Sequence, residues 1–243
     1  MATDLLYQTD SYLRDFTAEV RRSDRVSRSV VLDRSAFYPT GGGQPADAGV
    51  LLWDGQEAVV SGARKNGSDV EHILDGDGPV PTAGARVQGI IDWTRRYRLM
   101  RTHSALHVLC GVVYRDFGAL VTGGNMEIDR ARMDFELDDL ADSRVRAIES
   151  AANAEILACR DVRVRILPRE EAFQIPDLIR TKMNLLPPGI VNVRTVEIVG
   201  LDLQADGGTH VGNTGEIGGI RITGTRSKGR INKRLEIELV DAP

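Results

Sequence analysis

Three of the four histidines in this chain lie in two short segments whose residue types suit a metal ion. His103 and His107 are four residues apart in a segment of helical pattern, so both imidazoles project from one face of that helix. Asp206 and His210 have the same spacing in a glycine-rich stretch far downstream. Three imidazoles and a carboxylate are N and O ligands of the kind that zinc binds in sets of four. The pattern predicts one metal site per chain.

Each pair also has a simpler interpretation, as two hydrogen-bonded histidines on a helix or as a turn capped by an aspartate. A protease of the zincin type would need Glu directly after the first histidine, and Ser104 stands there, which excludes that class. His72, in a strand of alternating pattern, is interpreted as a surface or hydrogen-bonded histidine. The concentration of histidine in the two segments favours metal binding over the simpler interpretation.

A third segment of chemical interest contains three consecutive glycines, Gly41, Gly42 and Gly43, between Thr40 and Gln44. Backbone amides without side chains can form a concave site for an oxyanion or a phosphate. A bulged β-turn is the alternative interpretation. The segment lacks the lysine of a phosphate-binding P-loop and the strand–helix setting of a dinucleotide loop.

Residues 1–92 have the pattern of a β-rich domain that carries the glycine-rich segment. Apolar residues alternate in short runs separated by turn-forming residues, and helical spacing occurs only around Tyr12 to Phe16. A small barrel-like domain is the expected architecture. The predicted strands are Ser29–Leu32, Gly49–Trp53, Glu57–Val60 and Val70–Leu74.

Residues 93–243 have the pattern of an α+β domain with an antiparallel sheet, which must position the histidines. A helix from Arg95 to Phe117 carries His103 and His107, and a second is predicted from Asp138 to Ala158. The chain as a whole is therefore assigned to the α+β class. The predicted strands are Gly118–Thr122, Arg132–Leu137, Val162–Leu167, Ile190–Ile198 and a hairpin of Ile217–Thr223 and Ile231–Val240.

Composition excludes several classes of protein. The chain has no apolar run long enough for a transmembrane helix, and its N-terminus lacks the pattern of a secretory signal. Cys110 and Cys159 stand far apart in apolar helical surroundings and are interpreted as two buried, reduced thiols, which favours a cytoplasmic protein. The formal net charge of −4 argues against a protein that binds nucleic acid over its whole surface.

Basic residues are nevertheless clustered, which suits contact with a structured RNA at a few places. One cluster is Arg221 to Arg234, which contains no acidic residue, and others surround Arg95 and Arg21. Solvated surface is the alternative interpretation of each cluster.

Taken in order, these segments resemble the alanyl-tRNA editing proteins (AlaX), free-standing relatives of the editing domain of alanyl-tRNA synthetase. The resemblance is carried by Phe37–Pro45, Arg101–His107, Gln204–Val211 and Ser227–Arg234, whose order and spacing match the family. It implies a medium-length member, with the β domain followed by the editing domain and without an added C-terminal tRNA-binding domain.

The resemblance implies hydrolysis of tRNA(Ala) mischarged with serine, and glycine is a further candidate. A synthetase pocket sized for alanine cannot strongly exclude these amino acids, so a second site must remove them. It also implies that Zn²⁺ is held by His103, His107, His210 and the residue at position 206. The family more commonly has cysteine there. Asp206 replaces a soft thiolate by a hard oxygen, which admits other divalent ions.

The resemblance leaves the role of the metal open between polarising the ester, lowering the pKa of a water molecule and anchoring the substrate. Gly41, Gly42 and Gly43 are candidate oxyanion donors. Thr122 is the candidate partner of the serine hydroxyl, with Thr40 and Gln44 as alternatives. The candidate tRNA contacts are Arg95, Arg96, Arg98, Arg226, Lys228, Arg230, Lys233 and Arg234.

Three other functions remain open on the sequence. The chain could be a tRNA-binding accessory module whose metal is purely structural, which four protein ligands would suit. It could be a metal-dependent hydrolase of small esters, active without tRNA. It could also be a metal-free binding protein with histidines in its core.

Overall fold

The computed structural model describes residues 2–182 and 189–241. The chain divides into two compact units, Met1–Leu99 and Met100–Pro243. The division falls within the first long helix, α1 (Trp93–Phe117). The division into functional domains at residues 92 and 93 stays a prediction. Within the described residues, no helix has both the length and the apolar character needed to span a membrane.

In the described part of the first unit, six antiparallel strands close into a barrel, which confirms the predicted N-terminal barrel. The barrel strands are β2 (Asp15–Asp24), β3 (Ser29–Leu32), β5 (Gly49–Trp53), β6 (Gln56–Asn66), β7 (Asp69–Leu74) and β8 (Arg86–Ile91). Their order around the barrel is β2-β3-β7-β6-β5-β8, and β8 pairs with β2. Two further short strands, β1 (Asp4–Leu5) and β4 (Arg34–Ser35), pair in parallel.

Alternation of buried and exposed residues explains the barrel. In β2, Phe16, Ala18 and Val20 are buried while their neighbours are exposed. A side chain on Gly49 would bring its Cβ to 2.1 Å from the carbonyl oxygen of Ile90, so only glycine allows β5 and β8 to pair there. The helical indication around Tyr12 to Phe16 is wrong, because β2 occupies its end.

The second unit places helices beside two antiparallel sheets, which confirms the α+β class. Its described strands are β9 (Val121–Met126), β10 (Arg130–Phe135), β11 (Val162–Pro168), β12 (Asn192–Ile198), β13 (Asp202–Ala205), β14 (Gly219–Ser227) and β15 (Lys233–Val240). Its further α-helices are α2 (Asp142–Leu157) and α3 (Arg169–Ala172). Among the described residues, the strand orders are β14-β15-β10-β9 in one sheet and β11-β12-β13 in the other.

Several element boundaries differ from the prediction. Strand β9 starts at Val121, because Gly118 has a φ of 64° in the turn that ends α1. Helix α2 starts at Asp142 rather than Asp138, because Asp138 and Asp139 form ion pairs with Arg144 in the preceding turn.

The two cysteines have different surroundings. Cys110 is buried in α1, as predicted, whereas the prediction for Cys159 is wrong. Cys159 lies two residues beyond the end of α2 with a φ of 49°, and the turn leaves its side chain exposed.

Candidate metal centre

The second unit brings the four predicted metal ligands together. His103 and His107 project from one face of α1, and Asp206 and His210 lie in the irregular loop that follows β13. One ligand atom from each residue lies within 4.8 Å of those from the other three. The three histidines are buried and Asp206 is half-buried. The cluster is therefore largely shielded from solvent, and Asp206 is its most exposed member.

The distances in the cluster fit a small divalent ion. From the carboxylate of Asp206, the Nε2 atoms lie at 3.0 Å for His210, 3.6 Å for His103 and 3.9 Å for His107. Ligands at about 2.0 Å from a tetrahedral zinc ion are separated by about 3.3 Å. Small side-chain movements would suffice to close the shell. The donor set of three imidazoles and one carboxylate also suits zinc and other divalent transition metals.

Hydrogen bonds hold the outer nitrogen atoms of two of the rings. His107 Nδ1 lies 3.1 Å from Asp202 Oδ2, and His210 Nδ1 lies 3.1 Å from Ser104 Oγ. Ser104 Oγ also accepts the backbone N–H of Val211 at 3.2 Å. When each Nδ1 carries the ring proton, Nε2 presents a lone pair to the centre, as metal-binding histidines require.

Charge and burial shift the pKa of each histidine. Burial lowers the pKa of His103 to about 4, with contributions from His107 and Arg194. Burial, followed by the proximity of His103, holds the pKa of His210 well below its ordinary value. Burial also acts to lower the pKa of His107, but its hydrogen bond to Asp202 and the charge of Asp206 outweigh this effect and raise it.

Asp206 is held as a carboxylate by its surroundings. Burial acts to raise its pKa, yet the neighbouring His103, followed by His210 and His107, outweighs this effect and holds the pKa of Asp206 well below its ordinary value. Oδ2 accepts the backbone N–H of Gly208 at 2.6 Å, and Arg194 Nη1 donates to the carbonyl oxygen of Asp206 at 3.0 Å. Asp206 is thus an oriented carboxylate that suits the role of an oxygen ligand.

The glycine-rich segment lies in the first unit, where it forms a tight turn. Gly41 and Gln44 exchange two backbone hydrogen bonds, and the hydroxyl of Tyr38 donates to the carbonyl oxygen of Gly41. The amide of Gly41 is therefore engaged, and the candidate oxyanion donors reduce to Gly42 and Gly43, whose φ angles are 58° and 85°. Thr40 is exposed and Gln44 is buried.

Arg96 does not fit its predicted role in tRNA binding. Its side chain is fully buried in the first unit, where the guanidinium donates to both carboxylate oxygens of Asp47 and to the carbonyl oxygens of Ser11 and Ala36. A guanidinium that is buried and paired in this way is not available to contact a tRNA phosphate. Arg98 remains exposed.

The basic hairpin of β14 and β15 divides into engaged and exposed residues. Lys233 is buried, and its ammonium donates to the carbonyl oxygens of Gly229 and Arg230, which corrects its predicted role in tRNA binding. Lys228 and Arg234 form ion pairs with the buried Asp134. Arg226 and Arg230 are exposed.

Thr122 lies beside this hairpin, at the start of β9. Its hydroxyl donates to Asn232 Oδ1 at 3.1 Å. Its side chain is exposed.

Sequence reasoning missed the side chains behind the ligands, namely Asp202, Ser104 and Arg194. One signal for Asp202 was present, because Asp202, Gln204 and Asp206 alternate along β13 and its continuation. Residues two apart in a strand share one face. Nothing comparable pointed to Arg194, which contacts Asp206 from β12.

Comparison with known proteins bears on the same segments. The family of tRNA synthetases class II (A) matches residues 8–95, and the threonyl and alanyl tRNA synthetase second additional domain matches residues 193–236. The alanyl-tRNA editing protein AlaX-M of Methanosarcina acetivorans is 40% identical over 245 residues, which cover 98% of this chain and 100% of that protein. The chain belongs to the alanyl-tRNA editing proteins. Membership confirms the resemblance and the assignment to a family of deacylases.

Other relatives also match nearly the whole of this chain. The AlaX-M protein of Saccharolobus solfataricus is 40% identical and covers 96% of this chain. The alanine–tRNA ligase of Pyrococcus furiosus is 37% identical over 92% of this chain, which corresponds to 24% of that enzyme. Alanyl-tRNA editing proteins of this length therefore correspond to one part of the synthetase.

Proposed function

We propose that this protein is a trans-editing deacylase that hydrolyses Ser-tRNA(Ala) and, as a second substrate, Gly-tRNA(Ala), in the cytoplasm. The observation that carries the proposal is the full-length match to the AlaX-M proteins. The cluster of His103, His107, Asp206 and His210 supports it, because a hydrolytic enzyme of this kind needs a polar, shielded centre beside its ester substrate.

A divalent metal, with Zn²⁺ as the first candidate, would be held by these four residues. When bound, it would supply positive charge that polarises the ester or anchors the aminoacyl end of the tRNA. The low pKa values of His103 and His210 keep both rings neutral at physiological pH, so they are ready to act as ligands. Asp206 offers a carboxylate that is already ionised.

Other side chains would bind and discriminate the substrate. The hydroxyl of Thr122 is the proposed partner of the serine hydroxyl, since a buried hydroxyl without a partner is costly. The amides of Gly42 and Gly43 are the proposed donors to the developing oxyanion, and Thr40 and Gln44 are proposed to line the substrate site. The proposed tRNA phosphate contacts are Arg95, Arg98, Arg226, Lys228, Arg230 and Arg234.

The deciding experiment compares hydrolysis of Ser-tRNA(Ala), Gly-tRNA(Ala) and Ala-tRNA(Ala) by the purified protein, with and without a chelator. We expect loss of serine, with alanine left attached, and loss of this activity with His107→Ala. Cys159→Ala, which removes an exposed thiol of the same unit, is the control and should retain activity.

Two outcomes would overturn the proposal. Stoichiometric metal and tRNA binding without hydrolysis would establish an accessory module with a structural metal, which the four protein ligands also suit. Equal hydrolysis of small amino acid esters, without dependence on tRNA, would establish a general metal-dependent esterase.

A further inference from the structure

Behind the four candidate ligands, the second unit contains a buried carboxylate that none of the predicted roles uses. Asp202, the first residue of β13, has a side chain with no exposed area. Its Oδ2 atom lies 3.1 Å from His107 Nδ1 and accepts the side-chain amide of Gln204 at 2.6 Å. Burying a carboxylate is costly unless it is hydrogen-bonded or paired, so the partners of Asp202 indicate its role.

We propose that Asp202 is a positioning residue of the metal centre, whose Oδ2 atom accepts a hydrogen bond from Nδ1–H of His107 and thereby fixes the tautomer in which Nε2 presents its lone pair towards Asp206. This inference rests on the proposed metal site. In the opposite tautomer, Nε2 would carry the proton and His107 would have no lone pair for an ion. A carboxylate behind a histidine ligand both selects the tautomer and raises the basicity of the ring.

The packing of α1 against β13 makes this hydrogen bond possible. Gly111 stands one helical turn after His107, where a Cβ atom would come to 2.8 Å from Leu201 Cγ and 3.1 Å from Asp202 Cβ. A larger residue would therefore push the strand away from the helix. The absence of a side chain at Gly111 lets the helix approach closely enough for Asp202 to reach His107.

The surroundings of Asp202 hold the carboxylate in one orientation. Gln204 binds the same oxygen that His107 uses, and its amide also lies 3.4 Å from Cys110 Sγ. On the other side, Arg180 lies with Nε at 3.7 Å from Oδ1 and with its guanidinium carbon 3.6 Å from the centroid of the Tyr114 ring. Oδ2 thus lies between the Gln204 amide and His107 Nδ1, and a carboxylate oxygen in that position accepts hydrogen bonds from both.

The test measures metal affinity and the His107 tautomer separately, in the full-length protein. Metal-free wild type, Asp202→Asn and Asp202→Ala are titrated with Zn²⁺ against a competing chelator. Loss of such a partner weakens metal binding by about 10- to 100-fold. We expect this loss for Asp202→Ala and a smaller one for Asp202→Asn, whose side-chain oxygen can still accept the hydrogen bond from Nδ1–H.

Glu155→Gln is the matched control, because Glu155 is a buried carboxylate that pairs with Arg115 and Arg160 instead of a histidine. It should leave the zinc affinity unchanged. Gly111→Ala keeps the carboxylate but displaces it, and should weaken zinc binding as Asp202→Ala does.

The second readout is the ¹⁵N–¹H correlation pattern of the metal-free protein, at a pH where His107 is neutral. The chain has four histidines, so single substitutions assign each ring. We expect the Nδ1–H form of His107 in the wild type and a shift towards the Nε2–H form in Asp202→Ala. A merely structural role of Asp202 would not change this ratio.

The outcomes separate the two proposals. If the wild type binds no stoichiometric metal, the metal site is refuted, and the tautomer measurement still decides whether Asp202 orients His107. If the wild type binds zinc and both Asp202 variants match it in affinity and tautomer, the positioning role is refuted. If Asp202→Ala does not fold, the zinc affinities of the isosteric Asp202→Asn variant and of Gly111→Ala test the positioning role instead. Wild-type affinity in both would refute it.

Discussion

Asp206 Oδ2 and His210 Nε2 lie 3.0 Å apart, four residues from each other in one loop. The backbone N–H of Gly208 donates to the same oxygen, so the loop itself orients the carboxylate. Because Asp206 is held in this way before any ion arrives, the second pair of ligands is preorganised, as the helical spacing preorganises His103 and His107.

Removing this carboxylate should abolish stoichiometric metal binding. We expect Asp206→Ala to lose the ion, and Asp206→Cys to retain it with a stronger preference for Zn²⁺ over Mn²⁺, since a thiolate is the softer ligand. Metal content after dialysis and competition between the two ions measure both effects. Asp161→Ala, which removes an exposed carboxylate of the same unit, is the control. Full occupancy in Asp206→Ala would show that the residue is not a ligand.

Substitution of Arg96 should affect the stability of the first unit, whereas substitution of Arg98 should affect tRNA binding. Removing one partner of a buried ion pair costs about 3 to 5 kcal/mol, so Arg96→Gln should lower the free energy of unfolding of the first unit. Arg98→Gln should leave it unchanged and weaken tRNA binding. Urea unfolding and filter binding measure the two quantities. A stable Arg96→Gln protein with weakened tRNA binding would restore Arg96 as a contact.

His72 should make the first unit less stable in acid. Its ring is buried, with Nε2 at 2.7 Å from Ser35 Oγ and Nδ1 at 3.2 Å from the carbonyl oxygen of Val30, and burial lowers its pKa from 6.5 to about 4. The unfolded chain therefore binds the proton more readily than the fold does. Between pH 6.5 and about 4, this linkage removes about 3 kcal/mol of stability.

The measurement compares the free energy of unfolding of wild type and His72→Gln across this pH range. In the metal-free protein His103 and His210 titrate in the same direction, so the difference between the two proteins is the quantity of interest. A shallower pH dependence in His72→Gln is expected, and identical slopes would contradict the prediction.

The hairpin of β14 and β15 should contribute to tRNA binding through its exposed arginines. Each phosphate contact adds about 0.7 to 0.9 to the slope of log K against log salt concentration. Arg226→Gln and Arg230→Gln should each lower that slope by about this amount. Lys233→Met should instead loosen the turn, because its ammonium binds two backbone carbonyl oxygens. An unchanged slope in both arginine variants would remove the hairpin from the tRNA interface.

Thr122 should matter for serine more than for glycine. Thr122→Val keeps the shape of the side chain but removes the hydroxyl. It should lower kcat/KM for Ser-tRNA(Ala) by about tenfold, the equivalent of one ordinary hydrogen bond, and leave that for Gly-tRNA(Ala) unchanged. Equal loss on both substrates would indicate that the hydrogen bond to Asn232 holds the site in shape.

Local patterns in the sequence predicted many of the elements and the two pairs of candidate ligands. The four-residue spacing of His103 and His107 on a helix, and the alternation within β3, β5 and β7, are properties of neighbouring residues. The order of four family segments along the chain was sufficient for the assignment to the alanyl-tRNA editing proteins.

Only the tertiary structure decided which partner each charged or polar side chain meets. The sequence alone suggests that Arg96 is a surface cation. In the fold its side chain is buried and forms an ion pair with Asp47, which is distant in the chain. The sequence alone suggests that Asp202 is an ordinary strand residue. In the fold, α1 approaches β13 closely at Gly111, and His107 Nδ1 then lies within hydrogen-bond distance of Asp202. Periodicity records which face of an element a residue occupies, whereas burial and hydrogen bonding depend on the distant segment that packs against that face.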